Sequence, residues 1–137
     1  MNLFADSSAL AKRYIADEKS DELDRLLERC TNLAVSVLCM PEIVSALCRR
    51  RKERFVTAAQ YASAKDALEA DLADAAIIQI VDSVILGSIR LLEANPLRAS
   101  DAVHISSALA WRADLFVSAD ARQCSAARAA GLDVGRL

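Results

Sequence analysis

Five short apolar runs punctuate this chain: Leu3–Ala5, Leu33–Leu38, Ala76–Val81, Leu115–Ser118 and Leu132–Val134. Between them lie longer segments of helical pattern. That alternation is the strongest constraint on the fold. Strands alternating with helices specify a parallel sheet with helices on both faces. The expectation is a three-layer α/β/α domain with a five-stranded parallel sheet, residues 1–137 forming a single unit. The length agrees, because a chain of 137 residues buries roughly two thirds of its unfolded surface and needs no staple. Only 3 Gly and 2 Pro argue against an all-β fold rich in tight turns. Aromatic residues are few, so the core must be aliphatic.

The helical segments carry start and stop signals. Ser8 to Ile15 follows the first strand. The next helix is expected to begin at Ser20, with Ser20 as its cap and Leu23, Leu26 and Leu27 as its buried stripe. Pro41 suits the first position of a helix running to about Glu53, since its missing N–H costs nothing there. Further helices are expected over Thr57–Leu72, Ser83–Ala94, Asp101–Arg112 with Ser100 as cap, and Ala121–Ala130. Gly131 fits a left-handed helix end. Ala76–Val81 reads as a strand covered on both faces, because its apolar run is unbroken.

Charge and cysteines narrow the function. A net charge of −2 is not that of a globally basic nucleic-acid binder. Any attraction for nucleic acid must be local or carried by metal ions. Cys30, Cys39, Cys48 and Cys124 lack metal-ligand spacing and read as small core residues in a reducing compartment. No signal-peptide pattern opens the sequence. The longest stretch without charge, Cys30–Pro41, is far shorter than the ~20 residues that cross a bilayer. A cytoplasmic protein with no membrane partner is expected.

Four acids stand just past an expected strand or in the first turn of a helix: Asp6, Glu42, Asp101 and Asp120. In a parallel α/β fold those positions share one edge of the sheet, where ligands bind. Asp82 also follows a strand. Two unit charges 6 Å apart repel by about 3 kcal/mol at an effective dielectric near 20. A converging cluster therefore calls for a cation, and carboxylate oxygens suit Mg²⁺ or Mn²⁺ rather than zinc. Such ions activate water and stabilise the leaving oxygen in phosphodiester hydrolysis. The alternative is four separate helix caps on a solvated edge.

The segments FADSSALAKRY, PEIVSALCR, LRASDAVHISSAL and LFVSAD, in that order, resemble the PIN-domain ribonucleases, and within them the VapC-like toxins of toxin–antitoxin pairs. The resemblance implies a metal-dependent endoribonuclease with Mg²⁺ or Mn²⁺ as cofactor. Asp6, Glu42, Asp101 and Asp120 would be the catalytic acids and metal-site residues, Glu42 as a ligand or as the base orienting water. Ser118 matches a small polar position beside the metal shell. RNA would be the substrate, a small antitoxin would block the site, and the toxin would be a homodimer. A non-catalytic interaction module on the same fold is the alternative. Aspartate phosphatases and receiver domains fit poorly: the position two after Asp6 is Ser8, and no lysine follows Lys65.

Arg49, seven residues after Glu42 on the same helical face, is a candidate RNA phosphate contact. Arg50, Arg51, Lys52 and Arg54 read as a solvated helix end. His104, three residues after Asp101, reads as a structural histidine hydrogen-bonded near the site. Tyr61 and Trp111 read as core or subunit-interface residues.

Overall fold

The computed structural model describes residues 1–137. Five strands form one parallel sheet: β1 (Asn2–Ala5), β2 (Asn32–Ser36), β3 (Ala76–Ile78), β4 (Leu115–Ser118) and β5 (Val134–Arg136), in the order β3-β2-β1-β4-β5. Seven helices cover them: α1 (Ser7–Leu10, continued by a 3-10 turn over Ala11–Arg13), α2 (Ser20–Arg29), α3 (Cys39–Lys52), α4 (Ala58–Ala73), α5 (Asp82–Ala94), α6 (Ala99–Trp111) and α7 (Ala121–Ala129). This is the expected three-layer α/β/α architecture.

Alternation along β1 sorts the two layers. Leu3 and Ala5 face the core built from α1 to α4, with Leu10, Ile43, Leu47 and Leu68. Phe4 faces the other core, with Leu91, Ile105 and Ala127 from α5 to α7. Phe4 pairs in register with Phe116 of β4, and their rings stack 6.0 Å apart. β1 is wholly buried from Leu3 to Ala5, so the residue after it is placed by two rigid layers.

Helix α5 crosses α6 closely, and Gly87 makes the crossing possible. A Cβ there would lie 2.3 Å from Ser106 Oγ, a hydroxyl already committed to Val84 O at 2.7 Å. Gly131 adopts φ +99°, and the Leu132 amide closes α7 on Ala127 O, as the sequence suggested.

Several details differ from expectation. β3 is an edge strand and ends at Ile78; Ile77, Ile80 and Val81 are exposed, because only β2 lies beside it. Ser20 does not cap α2. Its hydroxyl donates to Lys12 O and accepts from the Asp17 amide, tying down the preceding turn. Ser100 lies inside α6, whose flanking residue is Arg98. Pro41 is the third residue of α3, still within the first turn, where no intrahelical acceptor is lost. The last strand starts at Val134, not Leu132. Among the cysteines only Cys39 and Cys124 are buried, and Cys48 is exposed. Tyr61 and Trp111 are half-buried against the two cores. No helix is long and apolar enough to cross a membrane.

Candidate active site

The strand order reverses between β1 and β4, and the crevice at such a switch point is where open α/β sheets bind ligands. Asp6 follows β1 directly. Ser118 ends β4, and Asp120 comes two residues later. Glu42 stands in the first turn of α3 and Asp101 in the first turn of α6. The four acids therefore share one edge of the sheet, divided into three settings. Asp82, exposed at the start of α5, joins none of them.

Asp6 is the innermost. Its side chain has no exposed surface. Ser118 donates to Oδ2 at 2.6 Å, Ser8 donates to Oδ1 at 2.8 Å, and the Ala9 amide donates to Oδ1 at 2.9 Å. Asp6 is thus the cap of α1 as well as the end of β1. Burial pushes its carboxyl above the usual range, and the bonds from Ser118, Ala9 and Ser8 oppose that shift.

Glu42 belongs to a second group with Ser7 and His104. The Ser7 hydroxyl donates to Glu42 Oε1 at 2.8 Å, and His104 Nε2 lies 2.5 Å from the same oxygen. His104 is buried on α6 and reaches across to α3, so it is the structural histidine the sequence suggested. Its bond holds the Glu42 carboxyl below the usual range, against the effect of burial. His104 also lies close enough to favour the charged forms of Asp6 and Asp101. Its Nδ1 is buried without a partner.

Asp101 and Asp120 form the third setting. They line one hollow of about 280 Å³ together with Pro96, Arg98, Ala121 and Arg122. Burial raises the Asp101 carboxyl, and the neighbouring Asp120 raises it further. Arg98 Nε, 3.8 Å from Asp101 Oδ2, only partly offsets this. Asp120 caps α7 by accepting from the Arg122 and Gln123 amides. Gln123, itself buried, donates from Nε2 to Asp101 Oδ1 at 3.0 Å, while its Oε1 has no partner.

Oxygen donors of this kind suit Mg²⁺ or Mn²⁺. The Asp101–Asp120 repulsion is what a cation would relieve. No three of the acidic, histidine and cysteine side chains stand together as a ready ligand set; Asp6 accepts hydrogen bonds on both oxygens, and Glu42 accepts on Oε1. The donors fit the ion in kind and are not gathered round one point.

Arg49 is exposed on α3 and does not line that hollow. Sequence reasoning missed Ser7, Ser8, Gln123, Arg98 and Arg122. Gln123 follows Asp120 by three residues, the spacing at which a cap meets its helix. Arg98 precedes Asp101 by three, the spacing of an ion pair on one helix face. Those two signals were available.

No protein-family model matches the sequence, and no curated protein matches it. Solved structures do. VapC20 of Mycobacterium tuberculosis, a sarcin–ricin loop cleaving toxin, superposes with a TM-score of 0.72 at 16% identity over 98% of this chain and 99% of that one. PAE2754 of Pyrobaculum aerophilum gives 0.73 at 18% identity over 98% of this chain and 83% of its own. A toxin–antitoxin complex from Klebsiella pneumoniae gives 0.67 at 18% identity over 90% and 89%. The chain has the fold of the VapC toxins, the PIN fold that its motifs implied.

Proposed function

We propose that this protein is a metal-dependent endoribonuclease, the toxin of a toxin–antitoxin pair. The observation that carries the reading is the pair Asp101 and Asp120, lining one hollow at the acidic edge of a VapC-like fold, where Asp120 raises the Asp101 carboxyl and Arg98 only partly offsets it. Asp6, Glu42, Asp101 and Asp120 would hold Mg²⁺ or Mn²⁺. A divalent ion held there would supply Lewis acidity for phosphodiester hydrolysis. Glu42, kept ionised by His104, accepts the proton of the attacking water. The water oxygen then forms the new bond to phosphorus, and the bond to the ribose oxygen breaks as that oxygen takes a proton from solvent water. Ser118 and Ser8 fix the Asp6 carboxylate. Arg49 adds an outer contact to an RNA phosphate.

Solved relatives of the same fold include toxin–antitoxin complexes, which supports a small antitoxin as partner. Val81, Ile85, Leu86 and Ile89 form an exposed aliphatic stripe at α5. Such a patch is unusual on a monomer and supports a homodimer. The reading places the protein in the cytoplasm.

One observation favours the second reading, a non-catalytic interaction module: both oxygens of Asp6 and Oε1 of Glu42 are engaged internally, and no three ligands are gathered. A single experiment separates the two. Purified protein is incubated with total RNA, with Mg²⁺ or Mn²⁺ and with chelator, and the cut ends are mapped. The nuclease reading expects new ends only with metal, and a loss of at least about 100-fold in Asp101→Asn. Cleavage undiminished by chelator or by that substitution overturns it.

A further inference from the structure

We infer that the hollow between the starts of α6 and α7 is the seat of the RNA backbone, with Arg98 and Arg122 holding phosphates on either side of the acid pair. This rests on the nuclease reading and names the contacts by which that site takes its substrate. A chain of net charge −2 with two repelling carboxylates in the hollow repels a polyanion, so attraction must come from local cations. Two arginines line the same hollow as Asp101 and Asp120. Arg98 immediately precedes α6, and Arg122 is the second residue of α7.

Both guanidinium groups are open to an external partner. The Arg98 side chain is 86% exposed and its ion pair with Asp101 is long, at 3.8 Å. Exposed pairs of that kind are weak, so a phosphate can take the arginine without much loss. Arg122 is exposed and makes no ion pair. The helix starts themselves cannot do this work at α7, because Asp120 already occupies the Arg122 and Gln123 amides. The side chains remain.

A second hollow of about 220 Å³ adjoins the first. It shares Pro96, Ala121 and Arg122 with it and is lined further by Asn95 and Ser125. Ala126 completes its lining, and the space is mainly apolar, so Arg122 stands between the acids and a surface that a nucleoside face can cover, as a phosphate clamp between two nucleosides would. The planar guanidinium matches a phosphate with two parallel N–H bonds. Gln123 holds Asp101 from below, so the acid keeps its place when Arg98 turns to the strand.

The test uses a fluorescently labelled single-stranded RNA oligonucleotide. Binding is measured by anisotropy in chelator across a salt series, and cleavage is measured in Mn²⁺. Arg98→Ala and Arg122→Ala are compared with wild type and with Arg90→Ala, an exposed arginine on α5 away from the hollow. Each of the two variants is expected to raise Kd about fivefold or more and to reduce the salt slope by about 0.7, the share of one phosphate on a single strand. KM should rise more than kcat falls, Arg98→Lys should restore the slope, and Arg90→Ala should match wild type. Variants that bind with wild-type slope and cleave with wild-type KM, while wild type cleaves normally, overturn the seat and leave the nuclease reading standing. Loss of binding in both variants, with a wild type that binds RNA but never cuts it, supports the seat and overturns the nuclease reading. A wild type that neither binds nor cuts overturns both.

Discussion

The two flanks of the acidic edge solve the same electrostatic problem in opposite ways. On one flank, Glu42 is held from within, by hydrogen bonds with His104 at 2.5 Å and from Ser7 at 2.8 Å. On the other, Asp101 and Asp120 are left to repel each other, with an exposed arginine as partial relief. Their hydrogen bonds from Gln123 and the start of α7 are neutral donors, so the repulsion between the two charges remains. On the proposed reading, the internal bonds fix Glu42 in place for its role, and the Asp101–Asp120 side is the one that a cation from outside would stabilise most.

The largest test of that contrast is His104→Ala. It opens a cavity in the core and leaves Glu42 without its main partner, so the protein should lose about 2–4 kcal/mol in urea unfolding. A loss under about 1 kcal/mol would mean that the His104 bond is peripheral to the scaffold. The next effect is metal linkage. At a hundredfold excess over its Kd, Mg²⁺ should stabilise wild type by about 2.7 kcal/mol and Asp101→Asn much less, read from thermal melts. Without metal, Asp101→Asn should be as stable as wild type or up to about 1 kcal/mol more stable, since it removes a repulsion. A plain helix-start role forecasts the reverse, a loss of up to about 1 kcal/mol with or without metal.

Acid sharpens the comparison further, because the two flanks carry opposite signs. The raised Asp101 carboxyl takes up protons more readily folded than unfolded. Its contribution destabilises above the raised value and fades as pH falls below the ordinary 3.8. The lowered Glu42 carboxyl stabilises above its ordinary 4.5, and that stabilisation is lost as pH falls through the folded value. Across a pH series of unfolding midpoints, the gain in Asp101→Asn and the loss in Glu42→Gln should both shrink with acid. Parallel signs for the two variants would erase the distinction between the flanks. The smallest effect belongs to Arg49→Ala, with a salt slope shallower by up to about 0.7 and little change in stability. An unchanged slope returns Arg49 to the solvated helix face.

Much of this was legible in the sequence because it depended on local pattern. The runs around Phe4 and Phe116 announce buried strands, and each acid sits where such a strand stops or a helix begins. The cap reading and the site reading proved compatible: Asp6 and Asp120 do cap α1 and α7. What was not legible required distant partners. β3 reads as a buried strand until its place at the sheet edge is known. Ser20 and Ser100 have the composition of caps, but the turns before them set where the helices start. The tie from His104 to Glu42 crosses between helices on opposite faces of the sheet, which no periodicity encodes.

Asp6 lies at the junction of β1 with β4, and that junction has a consequence for the order in which the chain can fold during synthesis. Ser7 meets Glu42 across 35 residues, but Asp6 meets Ser118 across 112, and the Ala119 amide returns to Ser8 across 111. Closing the longer loop costs only about 1 kcal/mol more, so the difference lies in time rather than stability. A nascent chain released through α5 can pair β1 with β2 and set Glu42 beside Ser7. It holds no Ser118 to fix Asp6, no Asp101 and no Asp120. Both flanks are therefore completed by the final third of the polypeptide, which brings His104 to Glu42 as well as Asp101, Ser118 and Asp120, and no partly made copy carries the whole acidic edge.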